Sequence, residues 1–381
     1  MDTPPEGVTD GRDGGAADTY VIVQLSDMHL EAGNPESVAR ERLYEDAISR
    51  EAKVDMIVVT GDLSECGYSS QGQQGVDALV HVREWLERVA THSHCAYAVV
   101  AGNHDVGNFV GCPYPVSAEG VERWRGVYGS GVVTHKNEGR EKGQAGATDS
   151  GADTDAAHTD TPAPSPLGGW VYDIPPRGHA SDTESDTVCG QVAWRLIGLN
   201  SMVYGHPEMG QSQQQWLDGV LATTPADTPL VLFQHTPFSL DRPGDTDPSV
   251  AVPYSALYWT GAAGDRCRAL TSLTRHRVRL VATGHTHQGR TSSIPCVSTD
   301  ASTPCLPCVW CPPMCGLGVE SDSLPGWDSD TTGYLRHTLS LSPPTVANAN
   351  GPNEAQDTVR TDTVWVQPIS RTLTFNPKQE T

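Results

Sequence analysis

The sequence lacks the features that would place it in a membrane or on a nucleic acid. It has no apolar run near the ~20 residues needed to span a bilayer, and residues 1–18 are small, polar and acidic rather than a basic and then apolar export signal. Positive charge is scarce, because 25 Lys and Arg face 47 Asp and Glu and give a formal net charge of -22. Such a field repels nucleic acid phosphates and anionic lipids. We therefore expect a cytoplasmic protein that binds neither nucleic acid nor membrane.

The ten cysteines do not have the pattern of a secreted disulfide scaffold. Without an export signal, reduced thiols are expected. Five of the ten are scattered along the chain: Cys66, Cys95, Cys112, Cys189 and Cys267.

Alternating strands and helices are the main pattern that is present. The chain has 381 residues, of which 37% are apolar, enough for one large α/β domain. Short apolar, β-branched runs predict strands at Tyr20–Leu25, Met56–Thr60, Ala96–Ala101, Trp194–Leu199, Leu230–Gln234 and Arg279–Thr283. Helical spacing is found at Ser37–Lys53, Val76–Ala90, Ser212–Leu221 and Arg266–Arg275. This alternation favours a layered α/β sheet.

Composition divides the chain into one domain and several poor segments. We expect a disordered segment at 1–18 and the domain at 19–320, with a low-complexity insertion at about 136–166 that is too poor in large apolar residues to order itself. A second low-complexity segment is predicted at 321–361. The alternating apolar residues of 362–381 predict a C-terminal strand or hairpin that completes the domain.

Polar motifs directly follow five of the predicted strands. They are Ser26-Asp27-Met28-His29, Gly61-Asp62, Gly102-Asn103-His104-Asp105, His235-Thr236-Pro237 and Gly284-His285-Thr286-His287. Ligands of open α/β sheets bind beyond the carboxyl ends of the strands. Gly-His-x-His is a plausible metal pair because alternate residues of an extended chain point the same way. Each motif alone is a common turn, but five of them in this order point to one site.

The order of these motifs resembles the calcineurin-like metallophosphoesterase superfamily over roughly residues 19–290. The resemblance implies an α/β fold, a four-layer α/β/β/α sandwich of two mixed sheets flanked by helices, with two metal ions. Carried over residue by residue, it implies a first metal held by Asp27, His29, Asp62 and His287. It implies a second metal held by Asp62, Asn103, His235 and His285, with Asp62 bridging the two.

The implied ligand set has a charge that suits a phosphate ester. Two divalent ions against two carboxylates leave about +2, or about +1 with a bridging hydroxide as nucleophile. His, Asp and Asn ligands suit Fe, Mn, Zn or Co without choosing among them. The resemblance makes His104 the general acid or transition-state donor. Asp105 would orient His104 or a ligand through a hydrogen bond, or serve the structure alone.

Softer motifs resemble the class III cyclic nucleotide phosphodiesterase branch of the superfamily. They are Gln24 to Leu30, Thr60 to Leu63 followed by Gly67, and Gly210 with Gln214 or Gln215 ahead of Trp216. This branch usually has a second histidine where this chain has Thr236. The resemblance implies hydrolysis of 3′,5′-cyclic nucleotides or similar small phosphodiesters. The alternatives are a phosphomonoesterase or glycerophosphodiesterase, and a non-catalytic scaffold of the same fold.

Four further cysteines, at 305, 308, 311 and 315, have the C-x2-C-x2-C-x3-C spacing of an iron-sulfur site. Ferredoxins have proline after the fourth cysteine, whereas Gly316 follows Cys315. Three interpretations stay open: a loop with incidental thiols beside the active site, a zinc ion on four thiolates, or an iron-sulfur cluster.

Overall fold

A computed structural model describes most of the predicted domain. The described residues are 19–65, 73–106, 118–129, 132–133, 168–176, 192–203, 206–207, 210–236, 272–285, 287, 290–294, 306–315, 332–341 and 359–366. The N-terminal segment at 1–18 and the insertion at 136–166 lie outside these residues, so both stay predictions.

The first sheet has the strand order β14-β13-β1-β2-β3-β4 in the described part of the chain. Its strands are β1 (Thr19–Leu25), β2 (Met56–Thr60), β3 (Ala96–Val100), β4 (Val132–Val133), β13 (Thr332–Ser340) and β14 (Val359–Val366). The three strands β1, β2 and β3 are parallel, and β13 is antiparallel to both β1 and β14. The carboxyl ends of β1, β2 and β3 therefore meet at one edge of the sheet.

The second sheet has the order β11-β12-β10-β9-β6-β5. Its described strands are β5 (Trp170–Ile174), β6 (Trp194–Leu199), β9 (Leu230–Gln234), β10 (Val278–Thr283), β11 (Arg290–Ile294) and β12 (Leu306–Trp310). A small separate ribbon pairs β7 (Met202–Val203) with β8 (His206–Pro207). Strands β6, β9, β10 and β12 are parallel, so this sheet also collects carboxyl ends at one edge.

Helices cover the outer face of each sheet. They are α1 (Pro35–Ser49), α2 (Gln73–His92), α3 (Asn103–Val106), α4 (Ala118–Tyr128) and α5 (Gly210–Ala222). Helix α1 begins after Asn34, whose side chain accepts a hydrogen bond from the Glu36 N–H, with Pro35 at the first position, where its missing N–H costs nothing. None of the helices among the described residues combines the length and the apolar character that a membrane crossing needs.

Three buried clusters define the layers. One packs β1 and β2 against α1, α2 and α4, and includes Trp85 and Trp124. A second lies between the two sheets, where Val58 and Phe233 are fully buried. The third packs the second sheet against Leu217 and its neighbours in α5. The predicted four-layer α/β/β/α sandwich of two mixed sheets is confirmed.

Three strands differ from the sequence predictions. Residues 306–310, which one of the three interpretations of the four-cysteine motif placed in a loop, form β12, which pairs with β10 on one side and β11 on the other. Pro307 and Cys308 make this strand hard to recognise in the sequence, because proline removes a ladder hydrogen bond and is rare inside sheets. The segment predicted as low-complexity, 321–361, contains β13. Leu335 and Leu339 are buried there, although the residues next to them in the sequence are mostly polar. The C-terminal strand begins at Val359, earlier than the predicted 362.

A buried polar network joins the two sheets directly below their carboxyl edges. The Gln24 amide donates to Thr60 Oγ1 at 2.9 Å and to the Thr283 carbonyl at 3.2 Å. Its Oε1 lies 2.9 Å from His337 Nε2, and Thr361 Oγ1 lies 2.9 Å from His337 Nδ1. Burial lowers the pKa of His337 to about 3. His337 is therefore a neutral link between β1, β13 and β14 of the first sheet, and Gln24 carries the network across to Thr283 of the second sheet.

We expect His337 to make the free energy of unfolding fall as pH drops below about 6.5, the ordinary pKa of histidine. The unfolded chain binds this proton near that pH, whereas the folded state binds it only near pH 3. The loss is about 1.4 kcal/mol per pH unit between these values. Urea titrations across this window should give a smaller pH slope for His337→Gln than for the wild type. Parallel slopes would show that His337 is not held neutral by the fold.

Candidate metal centre

Five loops that follow parallel strands converge where the carboxyl edges of the two sheets meet. Backbone hydrogen bonds join these loops in pairs, since the Asp27 N–H donates to the Gly61 carbonyl and the Gly284 N–H donates to the His235 carbonyl, both at 3.0 Å. The polar motifs at the strand ends are therefore brought to one place, as the sequence predicts.

Backbone strain is concentrated at the same place. The described residues other than glycine with a positive φ are Asp27 (51°), His29 (45°), Asp62 (51°), His285 (70°), His287 (52°) and His94 (52°). All but His94 belong to the predicted ligand set. Such conformations cost roughly 1–3 kcal/mol each and persist where surrounding structure enforces them, most often at functional sites.

The first metal position is surrounded by Asp27, His29, Asp62 and His287, whose ligand atoms all lie within 4.8 Å of one another. His287 Nε2 lies 3.3 Å from Asp27 Oδ1 and 3.4 Å from His29 Nε2. His29 Nε2 lies 3.7 Å from Asp62 Oδ2. Ligands that share one ion through bonds of about 2.0–2.2 Å have this spacing.

The second metal position is centred on His235 Nε2. This atom lies 3.3 Å from Asp62 Oδ2, 3.0 Å from Asn103 Oδ1 and 3.1 Å from His285 Nδ1. His235 Nδ1 lies 2.7 Å from the Thr60 carbonyl. Donation of Nδ1–H to this carbonyl leaves the lone pair of Nε2 for a metal, as second contacts of ligating histidines commonly do.

Electrostatics keep the two carboxylates ionised. Burial alone would raise the pKa of Asp27, but His287 and His235 outweigh it and lower the pKa to about 2. Burial acts in the same way on Asp62, and His235 and His104 lower its pKa well below the usual value. Burial disfavours a charged His235, yet Asp62 and Asp27 raise its pKa to about 9. The buried carboxylates of Asp27 and Asp62 therefore need positive charge nearby. When no metal is bound, a protonated His235 supplies it.

His104 and Glu65 lie beside the first metal position. The His104 backbone N–H donates to Asp62 Oδ1 at 2.8 Å, and its ring packs edge-on against His29 with 4.5 Å between ring centroids. Glu65 Oε2 lies 2.6 Å from His29 Nδ1, and the Glu65 carbonyl lies 3.2 Å from His104 Nδ1. Glu65 therefore contacts the Nδ1 atoms of both His29, a predicted metal ligand, and His104, the predicted general acid.

Asp105, which the sequence leaves either catalytic or structural, holds backbone in place. Its buried carboxylate accepts hydrogen bonds from the N–H groups of Gly102 (2.8 Å), Leu63 (3.0 Å) and Ser64 (3.1 Å). Burial, and then the charge of Asp62, raise the pKa of Asp105 to about 7. These contacts tie the loop of Asp62 to the loop of Asp105, which agrees with the structural alternative, and a catalytic role for Asp105 stays a prediction.

The donor atoms present fit two metal ions. Both positions offer carboxylate oxygen and imidazole nitrogen, with an amide oxygen at the second, and such mixed donors suit Fe, Mn, Zn or Co. The carboxylate of Asp62 belongs to both groups.

Comparison with known proteins decides the family. The model of a family described as calcineurin-like phosphoesterase matches residues 20–289, more than half of the chain. The chain belongs to this family. Calcineurin-like phosphoesterases typically bind two metal ions, and membership implies a metal-dependent phosphoester hydrolase. No curated protein matches the sequence.

Solved structures similar to this calcineurin-like chain include three with low sequence identity. A purple acid phosphatase from yellow lupin (Lupinus luteus) seeds is 13% identical, with a TM-score of 0.46, and the match covers 85% of this chain and 50% of that one. GAP50, the anchor in the inner membrane complex of Plasmodium, is 12% identical, with a TM-score of 0.46 and coverage of 92% and 85%. Phosphopantetheinyl hydrolase from Mycobacterium tuberculosis is 17% identical, with a TM-score of 0.35 and coverage of 78% and 91%. The chain thus spans half the length of the lupin phosphatase.

The structure brings together all eight residues of the predicted metal site and its histidine donor. It adds Glu65, which the sequence motifs did not predict, and Cys315, which one interpretation placed beside the site only as an incidental thiol. Each belongs to a candidate ligand group with His29. Glu65 lies three residues after Asp62 in the same loop, a position from which a contact could have been suspected. Cys315 ends the four-cysteine motif, and its nearness to His29 depends on how β12 enters the sheet.

Close packing against Asp62 leaves no room for a side chain at Gly102. A Cβ at this position would overlap the backbone nitrogen and Oδ1 of Asp62, neither of which can move without disturbing both metal positions. We expect Gly102→Ala to lower the melting temperature and the amount of bound metal. Gly126→Ala is the matched control, since nothing lies within 4 Å of its added Cβ. Elemental analysis and thermal melts measure both effects, and normal metal content in Gly102→Ala would contradict the packing.

The contact of Glu65 with His29 gives another prediction. Removing the carboxylate charge in Glu65→Gln should weaken metal binding by roughly 10–100-fold, as loss of a partner behind a ligating histidine does. Equilibrium dialysis against Mn2+ measures the affinity. Glu45→Gln is the control, because its side chain in α1 is 39% exposed, close to the 37% of Glu65. Equal affinities in both variants would remove Glu65 from the site.

Proposed function

We propose that the chain hydrolyses 3′,5′-cyclic nucleotides or similar small phosphodiesters at a dinuclear metal centre formed by Asp27, His29, Asp62, Asn103, His235, His285 and His287. The observation that carries the proposal is the position of Asp62. Its carboxylate is part of both ligand groups, which two metal ions sharing one bridging ligand require.

Two metals at these positions would lower the pKa of a bound water and hold the phosphoryl oxygens during in-line displacement. The ligand histidines must stay neutral, and the backbone contact of His235 Nδ1 with Thr60 favours the tautomer that ligates through Nε2. Burial likewise lowers the pKa of His29. Burial thus favours the neutral form of His29, whereas His235, whose pKa is raised by Asp62 and Asp27, must lose a proton when a metal binds.

His104 is the proposed proton donor to the leaving oxygen. Its side chain is 16% exposed, whereas His235 is fully buried, so the face beside His104 is open to a substrate. The Glu65 carbonyl can accept a hydrogen bond from His104 Nδ1–H, which orients the His104 ring. Neither contact of His104 with Asp62 or Glu65 involves its Nε2 atom.

The choice of a phosphodiester depends on the sequence motifs around Asp27 and Asp62, and Thr236 favours an alternative. Thr236 is fully buried and its N–H donates to Ser201 Oγ at 2.9 Å, so this position is packed into the protein where the cyclic nucleotide branch has a second histidine. A phosphomonoesterase or glycerophosphodiesterase is therefore the second candidate. For either one we propose a small substrate and no nucleic acid partner, because of the net charge of -22.

The deciding experiment is a substrate panel with Mn2+ on three variants. The panel contains cyclic AMP, cyclic GMP, 2′,3′-cyclic nucleotides, glycerophosphodiesters and a phosphomonoester. Asp62→Asn should lose turnover and most bound metal, because both positions share its charge. His104→Ala should keep its metal and lose about 10²–10⁴-fold in kcat, since its backbone contact with Asp62 survives. His92→Ala, at the exposed end of α2, is the control.

The outcomes separate the candidate functions. Turnover of cyclic nucleotides supports the proposal, and turnover of monoesters or glycerophosphodiesters alone supports the second candidate. Purified protein that binds no metal and turns over nothing would be a non-catalytic scaffold of the same fold. Metal loss in His104→Ala would show that His104 belongs to the ligands.

A further inference from the structure

The three described cysteines of the four-cysteine motif do not lie in one site. Cys308 packs in the cluster between the second sheet and α5, whereas Cys311 lies in the cluster between the two sheets. Within the described residues, Cys308, Cys311 and Cys315 form no common ligand group, and Cys305 lies outside those residues. The iron-sulfur and four-thiolate zinc interpretations therefore lose their geometric basis for these three thiols.

Cys315 instead lies beside two ligands of the first metal position, His29 and His287, and its group does not include Asp27 or Asp62. Its Sγ and one ring nitrogen each of His29 and His287 all lie within 4.8 Å of one another. Two imidazole nitrogens that share one ion through bonds of about 2.0–2.1 Å lie roughly 3–3.4 Å apart. The observed 3.4 Å between His29 Nε2 and His287 Nε2 agrees with this spacing.

The backbone after β12 holds Cys315 there. The Cys311 N–H donates to the Thr283 carbonyl at 2.8 Å, at the end of the strand that precedes His285 and His287. The Cys315 N–H donates to the Asp27 carbonyl at 3.1 Å. Residues 311–315 thus cross from the second sheet to the first between the two loops that carry His287 and His29. Cys315 is also 8% exposed, so its sulfur lies away from bulk water.

We infer that Cys315 Sγ is a further ligand at the first metal position and gives this position a preference for Zn2+, Fe2+ or Co2+ over Mn2+. Thiolate is a soft ligand that selects such ions, whereas Mn2+ favours oxygen donors. When Sγ binds the ion, the Cys315 thiol releases its proton to solvent and the sulfur lone pair forms the metal bond. The added negative charge also reduces the surplus positive charge of the two-metal centre. This inference rests on the proposed function, because His29 and His287 hold the same ion.

Cobalt substitution tests the ligand directly. A Co2+–thiolate bond gives a strong near-ultraviolet charge-transfer band that oxygen and nitrogen ligands do not give. We expect wild-type protein loaded with two equivalents of Co2+ to show this band, and Cys315→Ser to lose it. Cys311→Ser is the matched control, because Cys311 lies in the same segment, belongs to no candidate ligand group among the described residues, and has an Sγ that donates to the Gln24 carbonyl. Cys315→Ala serves as the second variant should the serine variant fold poorly.

Two further readouts are independent of turnover. Metal binding should release about one more proton from the wild type than from Cys315→Ser, measured in weakly buffered solution. The ratio of Zn2+ to Mn2+ affinity, from competitive dialysis, should fall at least roughly tenfold in Cys315→Ser, in the range that lost contacts at metal sites produce.

The possible results are distinguishable. Two bound cobalt ions without a charge-transfer band in the wild type, or a band that persists in Cys315→Ser, would overturn the thiolate ligand and leave the proposed function standing. A protein that binds no cobalt at all would overturn both.

Discussion

The structure depends on one shared carboxylate, that of Asp62. It closes both candidate ligand groups, accepts a hydrogen bond from the His104 backbone and stays ionised although it is buried. A buried charge of this kind is costly unless paired, and the nearby histidines and the implied metals pair it. Gly102 has no side chain because a Cβ there would occupy the same space.

Below Asp62 the two sheets are held at a fixed spacing by polar contacts. Gln24 contacts Thr60 of β2, Thr283 of β10 and His337 of β13. A single side chain therefore contacts both sheets, including the strand β13 near the end of the chain. Apolar packing between the sheets is strong but non-directional. Hydrogen bonds between the sheets fix how the sheets are aligned, and this alignment positions the loops that follow the strands. The left-handed conformations of Asp27, Asp62 and His287 are therefore held by a rigid base.

Much of this could be read from the sequence, for physical reasons. The strands before the ligands are short apolar runs, and β2, β6 and β9 have the predicted bounds. The motifs at their ends gave all eight residues of the predicted site. The predictions that failed concern features that depend on residues distant in the sequence. Strand β13 is stabilised by its neighbours β1 and β14 more than by its own composition. Glu65 and Cys315 reach the site through tertiary contacts that have no spacing rule, and the bonds of Asp105 to backbone have no sequence signature.

The position of β13 affects how the protein is made. Strand β1, which leads into Asp27 and His29, obtains its second neighbour only from residues 332–340. Every predicted ligand and His104 precede residue 288. During synthesis at about 5–20 residues per second, the nascent chain therefore carries its whole ligand set for several seconds while one edge of β1 is open. An open edge is a template for pairing with other chains. Early metal capture or chaperone cover of that edge would protect the newly made protein until its last strands emerge.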